Sequence, residues 1–239
     1  MNIPPENEPS GQEDKIPLNV VYLGRTRYAA TWRLQKQLVN DRAADKITDT
    51  LLVTDHEPVI TKGRGTNDAN LLVSPEKLQE MGIDLFEVER GGDITFHGPE
   101  QLVVYPIISL ASRDKDTHKY LRELEKVVIN TLGNLGLTGT TKQGLTGVWI
   151  GDTKVCAIGV GVSKWITYHG LALNVNTDMN YFKLITPCGI NNYPVGSLKT
   201  IIGTQVNYES VTRNLVTEFA KIFEYNEIND DSPPLSGSH

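Results

Sequence analysis

The segment from residue 147 to residue 176, GVWIGDTKVCAIGVGVSKWITYHGLALNVN, constrains the fold most strongly, because apolar, β-favouring runs follow one another there almost without interruption. Gly151 and Asp152 form a two-residue hairpin signal between two of these runs and place Lys154 just after a β-turn. Strands joined by so short a turn are antiparallel, which argues against a doubly wound parallel sheet. The many small residues also allow a strand pair to form the floor of a narrow apolar slot.

The rest of the chain predicts more strands and a few helices. Helices are expected over residues 26–42 and 117–133, after the N-cap Asn207, and at a short segment that Ser74 caps and Pro75 opens. Further strands are predicted at residues 18–23, 50–55, 84–89, 101–110 and 199–206. Because strands outnumber helices and adjoin one another, we expect an α/β fold of the α+β type, with a mixed β-sheet flanked by helices.

Length and composition indicate an ordinary globular protein. The 239 residues suffice for one sizeable core, and we expect a single domain over residues 18–225. Residues 1–17 and 226–239 are polar and acidic, so we expect a disordered N-terminal arm and C-terminal tail. No apolar run is long enough for a bilayer, which argues against a membrane protein.

Charge and cysteine content exclude several functions. The net charge of -6 argues against a nucleic-acid binder, which needs clustered Lys and Arg. The segment GRGTN at 63–67 lacks the ending of a phosphate-binding P-loop, and no Cys-x-x-Cys spacing suggests a metal site. The two cysteines, Cys156 and Cys188, are too few for a fold that disulfides stabilise, which indicates a reducing compartment. We therefore expect a cytoplasmic protein, or a mitochondrial or plastid one if a transit peptide has been removed.

Several residues have both a chemical and a structural interpretation. Cys188 lies between Pro187 and Gly189, which suits a nucleophile presented on a tight turn, although free cysteines are commonly buried. The segment RGGDITFHGPEQLVVYP is either a ligand-binding loop or a glycine hinge with a core histidine. His169 is either a proton carrier or a structural residue. Lys154 either faces solvent or stabilises a nearby thiolate.

Four motifs in this order, RGGDITFHGPEQLVVYP, GVWIGDTKVCAIG, TYHGLALNVNTD and PCGI, resemble the octanoyltransferase (lipoyl(octanoyl) transferase, lipoate-protein ligase B) family. The resemblance begins near HEPVITKGR at 56–64 and extends through PCGI. It implies the fold of the biotin and lipoate protein ligase catalytic domain. It also implies transfer of an octanoyl or lipoyl group from acyl carrier protein to a lysine of an apo lipoyl domain, the first step of endogenous protein lipoylation.

The resemblance assigns roles to residues. It implies that Cys188 is the acyl-thioester nucleophile and that Lys154 lowers the pKa of this thiol and shuttles protons, with His169 as a supporting residue. The implied substrate-binding segments consist of Arg90, Gly91, Gly92, Asp93, Ile94, Thr95, Phe96 and His97, then Ala157, Ile158 and Gly159, then Gly170, Leu171 and Ala172. Backbone N–H groups in these segments are candidates for holding the tetrahedral oxyanion.

The resemblance also predicts partners and cofactors. The expected partners are acyl carrier protein, whose phosphopantetheine arm carries the acyl group, and apo lipoyl domains such as glycine-cleavage H protein and 2-oxoacid dehydrogenase E2 subunits. No ATP, metal or other cofactor is expected, because a thioester is already reactive toward an amine. We expect the enzyme to act as a monomer.

Two alternatives remain: an ATP-dependent lipoate- or biotin-protein ligase of the same fold, and a non-catalytic module that binds carrier protein or lipoyl domains. Glu100 and Cys156 depart from the family pattern, since Glu100 replaces the glycine of H-G-P-G-Q and Cys156 stands where a small residue such as alanine is usual. A non-glycine residue is strained at positive φ, so Glu100 puts the local loop conformation in doubt.

Overall fold

The computed structural model describes residues 16–187 and 193–230. It contains an eight-stranded mixed sheet in the order β11-β1-β2-β6-β10-β9-β8-β7 and a three-stranded sheet in the order β4-β3-β5. The strands are β1 Pro17–Thr26, β2 Thr50–His56, β3 Val59–Lys62, β4 Asp84–Glu87, β5 Ile94–His97, β6 Gln101–Ile107, β7 Gly139–Thr140, β8 Val148–Ile150, β9 Thr153–Ser163, β10 Ile166–Asn174 and β11 Glu227–Asp230. The predicted mixed sheet is confirmed, because β1 pairs in parallel with β2 whereas β2 pairs antiparallel with β6.

The segment 147–176 forms the predicted antiparallel strands β8, β9 and β10. Ile150 pairs with Thr153 across the turn at Gly151 and Asp152, and Gly151 has a φ of 57°. This left-handed conformation suits glycine and explains the hairpin at this position. Lys154 therefore lies at the start of β9, as the sequence predicts.

The described helices are α1 Tyr28–Ala43, α2 Pro75–Glu80, α3 Thr117–Gly133, α4 Leu198–Ile202 and α5 Tyr208–Ile222. Leu78 of α2 packs with residues of the three-stranded sheet, and helices cover both faces of the large sheet. The helices α3 and α5 cover one face, where their apolar side chains form the main core cluster with alternate residues of β2, such as Leu51 and Val53. The helix α1 covers the opposite face, where Leu34 packs near Leu52 and Val103. None of the helices in the described part of the chain is long and apolar enough to cross a membrane.

Helix caps account for the boundaries of α2 and α5. The hydroxyl of Ser74 accepts a hydrogen bond from Lys77 N, and the side chain of Asn207 accepts one from Ser210 N. Both caps were predicted. The prediction of a strand at residues 199–206 was wrong, because Ser197 and Thr200 form a reciprocal capping box that starts α4, and Gly203 ends it with a φ of 86°.

The strands β3, β5, β7 and β11 were not predicted. β5 lies inside the segment that the sequence suggested as a binding loop, and it pairs antiparallel with β3. β11 begins beyond residue 225, where we expected the ordered region to end, and pairs in parallel with β1 at the edge of the large sheet. A strand this short and exposed carries almost no periodic signal, which explains why it was missed.

Candidate active site

A cavity of about 390 Å³ is bordered by residues of both sheets and of α1. Every predicted binding segment contributes to it. The predicted residues that line it are Arg90, Gly92, Asp93, Ile94, Thr95, His97, Lys154, Ala157, Ile158, Gly159, His169, Gly170, Leu171 and Ala172. Segments that are far apart in sequence therefore converge on one site.

Small residues on β9 and β10 form the floor of this cavity. Ala172 pairs with Ala157 on one side and Val103 on the other, and in the next row Gly170 pairs with Gly159. A Cβ atom at Gly170 would collide with the backbone of β6, at the carbonyl oxygen of residue 104. The predicted narrow slot exists because these rows lack side-chain bulk.

The Arg90 loop closes over β9. Gly91 N donates a hydrogen bond to Val160 O at 2.9 Å, and a Cβ atom at Gly159 would lie only 2.9 Å from Gly91 O. The guanidinium of Arg90 is buried and donates through Nη2 to Thr61 O at 2.8 Å and to Thr61 Oγ1 at 3.0 Å. The loop is thereby fixed against both sheets, so its backbone borders the cavity in a defined position.

Two predicted binding residues, Gly91 and Phe96, do not belong to the described cavity lining. Side chains alternate along β5, so Thr95 and His97 face the cavity side whereas Phe96 packs into a separate apolar cluster. The ring of Phe96 stacks on Tyr181 with a centroid distance of 4.6 Å. Phe96 thus supports β5 from behind, and Gly91 acts through its backbone contact with β9.

His97 is held in a defined tautomer. Gln101 Nε2 donates to Phe96 O at 3.0 Å, which identifies the other amide atom, 2.7 Å from His97 Nδ1, as the oxygen. His97 Nδ1 must therefore carry the proton. Burial lowers the pKa of His97 to about 3, with a further contribution from His56, so the ring is neutral at pH 7.

His169 occupies a strained position in β10. Its φ is 54°, and its backbone N–H donates to Gln35 Oε1 at 2.8 Å, a contact between β10 and α1. Burial lowers the pKa of His169 to about 3, with a smaller effect from the Arg90 charge. A neutral imidazole suits an apolar cavity, whereas a proton carrier near pH 7 needs a pKa closer to that value.

Lys154 borders the same cavity from the start of β9. Its backbone N–H donates to Pro194 O at 2.8 Å, and its carbonyl accepts from Gly196 N at 3.0 Å. Its Nζ lies 5.1 Å from the centre of the Trp149 ring. Pro187 and Tyr193 line the same cavity, and Cys188, the predicted nucleophile between them in sequence, lies outside the described residues.

Comparisons with known proteins identify the family. The lipoyl protein ligase A/B catalytic domain matches residues 27–220. The octanoyltransferase of Rubrobacter xylanophilus is 49% identical over 214 residues, covering 88% of this chain and 96% of the relative. The octanoyltransferase of Caldicellulosiruptor bescii is 44% identical over 208 residues, covering 86% of this chain and 91% of the relative. The chain belongs to the octanoyltransferase family. The resemblance noted in the sequence is thus confirmed.

Solved structures agree with this octanoyltransferase fold. A lipoate-protein ligase A bound with ATP superposes with a TM-score of 0.70 at 17% identity, covering 93% of this chain and 90% of that chain. The lipoate protein ligase of Thermoplasma acidophilum gives 0.67 at 17% identity, covering 92% and 86%. The biotin protein ligase of Aquifex aeolicus gives 0.52 at 13% identity, covering 86% and 69%. The expected ligase-like catalytic fold is confirmed.

Glu100 of the octanoyltransferase adopts a φ of 57° where the family pattern has glycine. The strain is offset by hydrogen bonds: Glu100 N donates to Asp55 Oδ2 at 2.9 Å, and Glu100 Oε1 accepts from Asn176 Nδ2 at 3.1 Å and from Gln205 Nε2 at 2.9 Å. The loop therefore keeps the left-handed conformation without glycine, and the carboxylate ties it to two other segments.

The other cysteine of the octanoyltransferase, Cys156, is a core residue. It is completely buried, and burial raises the pKa of its thiol to about 12, although the Lys154 charge opposes this shift. A thiol that is protonated at pH 7 is a poor nucleophile. Over residues 16–187 and 193–230, no group of three or more His, Cys, Asp or Glu side chains is arranged to hold a metal ion.

Sequence reasoning missed several residues that border the octanoyltransferase cavity, namely Tyr28, Gln101, Tyr105, Trp149, Asn174 and Tyr193. Gln101 and Asn174 offered a usable signal, since each is a polar amide residue at the end of a predicted strand. The structure joins them directly, with Gln101 Nε2 donating to Asn174 Oδ1 at 2.8 Å. The aromatic residues carry no such signal, because they resemble ordinary core positions.

Proposed function

We propose that this chain transfers an octanoyl group from acyl carrier protein to a lysine of an apo lipoyl domain through a thioester on Cys188. One observation carries the proposal most: Lys154, the first residue of the PCGI motif, Pro187, and Tyr193, three residues beyond the motif, border the same cavity as the three predicted acyl-binding segments. The octanoyltransferase relatives supply the class of reaction.

The cavity suits a short acyl chain. Its volume of about 390 Å³ lies in the range of small-molecule sites, and its floor is apolar. Each buried methylene contributes about 0.8 kcal/mol, so the seven carbons beyond the carbonyl contribute about 6 kcal/mol to binding. Neutral His97 and His169 add no charge that would repel an alkyl chain.

The chemistry proceeds in two acyl transfers. The Cys188 thiolate attacks the thioester carbonyl of the donor, and collapse of the tetrahedral intermediate breaks the bond to the pantetheine sulfur, which leaves as a thiolate and takes a proton. The acceptor lysine amine then attacks the Cys188 thioester, forms the amide and releases the Cys188 thiolate. The Lys154 ammonium stabilises the thiolate and exchanges the protons that these steps release and consume.

The proposed reaction needs no ATP or metal, because the donor is already a thioester. The structural neighbour bound with ATP shares the fold, so the fold does not exclude adenylate chemistry. An adenylating ligase would use free octanoate and nucleotide and leave no acyl group on Cys188. A binding module without activity would form no acyl-enzyme at all.

Intact-mass analysis tests the proposal. Wild type and the Cys156→Ala variant should each gain one octanoyl group from octanoyl carrier protein, and Cys188→Ala should gain none. Isolated acyl-enzyme should then acylate an apo lipoyl domain without nucleotide, metal or fresh donor. An adduct that persists in Cys188→Ala, or transfer that requires ATP, would overturn the mechanism.

We also propose that the protein acts as a cytoplasmic monomer. The free thiol of Cys156 is compatible with a reducing compartment. Light scattering of the purified chain should give a mass near 26.5 kDa, and a mass near twice this value would overturn the monomer. Fractionation of cells that make the full chain tests the compartment.

A further inference from the structure

A buried carboxylate lies beneath the Lys154 end of the cavity. Glu125 is on α3, and only 2% of its side chain is exposed. Its Oε1 accepts a hydrogen bond from Gly147 N at 2.9 Å. Helix α3 otherwise packs apolar side chains into the main core. A carboxylate on its buried face therefore needs hydrogen bonds or a charged partner to offset the free-energy cost of burial.

Gly147 connects Glu125 to Lys154. Its φ is 139°, and a Cβ atom on it would lie 2.7 Å from Lys154 Cε and 3.3 Å from Lys154 Nζ. The same atom would lie 2.6 Å from Cys156 O, so no side chain fits. The end of the Lys154 side chain therefore rests directly on the Gly147 backbone, whose amide Glu125 holds.

Two basic side chains partly offset the effect of burial on Glu125. Arg122 Nη1 lies 2.6 Å from Glu125 Oε2, on the same helix, and the Arg122 side chain is half exposed. Burial raises the pKa of Glu125 above its ordinary value, and the Gly147 hydrogen bond and the charges of Arg122 and Lys154 offset only part of this effect. From β9, the groups that interact with Glu125 are thus the Lys154 ammonium and the Cys156 thiol.

We propose that Glu125 is a positioning residue of the octanoyl transfer: its carboxylate fixes Gly147 through a hydrogen bond, and through Gly147 and its own negative charge it holds the Lys154 side chain in place. This role rests on the proposed function of Lys154. Glu125 does not touch substrate. It acts through the hydrogen bond to Gly147 and through its negative charge, and these two contributions can be separated by substitution.

The experiment compares Glu125→Gln, which keeps an acceptor for Gly147 but removes the charge, with Glu125→Ala, which removes both. The control is Glu218→Gln. Like Glu125, Glu218 is a buried carboxylate with a basic partner three residues away on its own helix, here Lys221. It lies between α5 and α3, where Asn130 donates a hydrogen bond to it. All variants are checked for folding by thermal unfolding, and Gly147→Ala provides a second perturbation of the Lys154 side chain.

Glu125→Ala should lower kcat about 10- to 100-fold with little change in KM for octanoyl carrier protein, the size seen when a supporting residue of an active site is lost. Glu125→Gln should lower kcat less, because it keeps the acceptor for Gly147 and loses only the attraction between the carboxylate and the Lys154 side chain. Glu218→Gln should keep the wild-type kcat.

A second readout does not depend on activity. The NMR chemical shift of the Lys154 side-chain carbon next to Nζ, assigned with Lys154→Arg, should change in both Glu125 variants and keep its wild-type value in Glu218→Gln. Wild-type kcat in both Glu125 variants, an effect confined to KM, or an unchanged Lys154 chemical shift overturns the positioning role. Absence of acyl transfer in the wild type overturns the proposed function instead, and the chemical shift still tests the contact with Glu125.

Discussion

Glu100 offers a test of how a strained backbone is supported by side-chain contacts. A non-glycine residue in the left-handed region costs about 1–2 kcal/mol, which glycine avoids, although glycine loses about 0.5–1 kcal/mol more backbone entropy on folding. The Glu100 carboxylate accepts a partly buried hydrogen bond from Asn176 and an exposed one from Gln205, and together they contribute about 1–2 kcal/mol. Glu100→Ala keeps the strain and loses these bonds, so we expect it to destabilise the protein by about 1–2 kcal/mol.

Glu100→Gly loses the same bonds but relieves the strain, so its net loss should be only about 0–1 kcal/mol, and it should be about 1 kcal/mol more stable than Glu100→Ala. In a chain of this size, 1 kcal/mol corresponds to about 2–4 °C in Tm. Urea unfolding with equal m-values measures the difference, and Gln205→Ala should cost about half as much as Glu100→Ala. A glycine variant no more stable than the alanine variant would refute the strain at φ 57°.

Three further predictions concern the cavity and the buried histidines beside it. Lys154→Met should raise the apparent pKa of Cys188 in iodoacetamide labelling and slow transfer about 10²- to 10⁴-fold, and unchanged labelling across pH would contradict the role of the ammonium. Gly159→Ala should displace the Arg90 loop, because the added Cβ would lie 2.9 Å from Gly91 O, and it should raise KM for the donor in steady-state kinetics. An unchanged KM would mean that this loop contact does not shape the slot. Burial holds the pKa of His56 at about 4 and that of His97 at about 3. Below about pH 6.5 the unfolded chain therefore binds a proton at each histidine before the folded chain does. As the pH drops from about 6.5 to about 4, the free energy of unfolding should fall by up to about 1.4 kcal/mol per pH unit for each histidine. Urea unfolding at several pH values measures this slope, and His56→Asn should reduce it.

Local signals predicted the elements that they control directly. The helix over residues 117–133 was predicted with its observed bounds, because apolar residues recur at helical spacing. The structure adds the cap, since the Asp116 side chain accepts hydrogen bonds from His118 N and Lys119 N. The prediction for the α4 segment failed because its β-branched residues suggested a strand, whereas the capping box of Ser197 and Thr200 decides its conformation. Capping signals within short segments therefore deserve more weight than β-propensity.

The arrangement of the site depends on pairings that local sequence does not contain. Motif order suggested that the Arg90 loop, β9 and β10 act together, but the pairing of Gly159 with Gly170 is what creates the slot. The exclusion of Phe96 from the lining follows from strand alternation in β5, and that could be recognised only once the segment was known to be a strand. Tyr28 reaches the cavity because α1 packs on this particular sheet face.

A chain of polar contacts shows how the two ends of the cavity are connected. His97 Nδ1 donates to Gln101 Oε1, Gln101 Nε2 donates to Asn174 Oδ1, and Asn174 Nδ2 donates to Gly196 O at 3.0 Å. Gly196 N in turn donates to Lys154 O at 3.0 Å. Each buried amide is satisfied only if both of its neighbours are in place, so breaking one link leaves a buried polar group unpaired at a cost of about 1–3 kcal/mol. The backbone of Lys154 is therefore fixed by the same network that fixes the tautomer of His97 at the cavity wall.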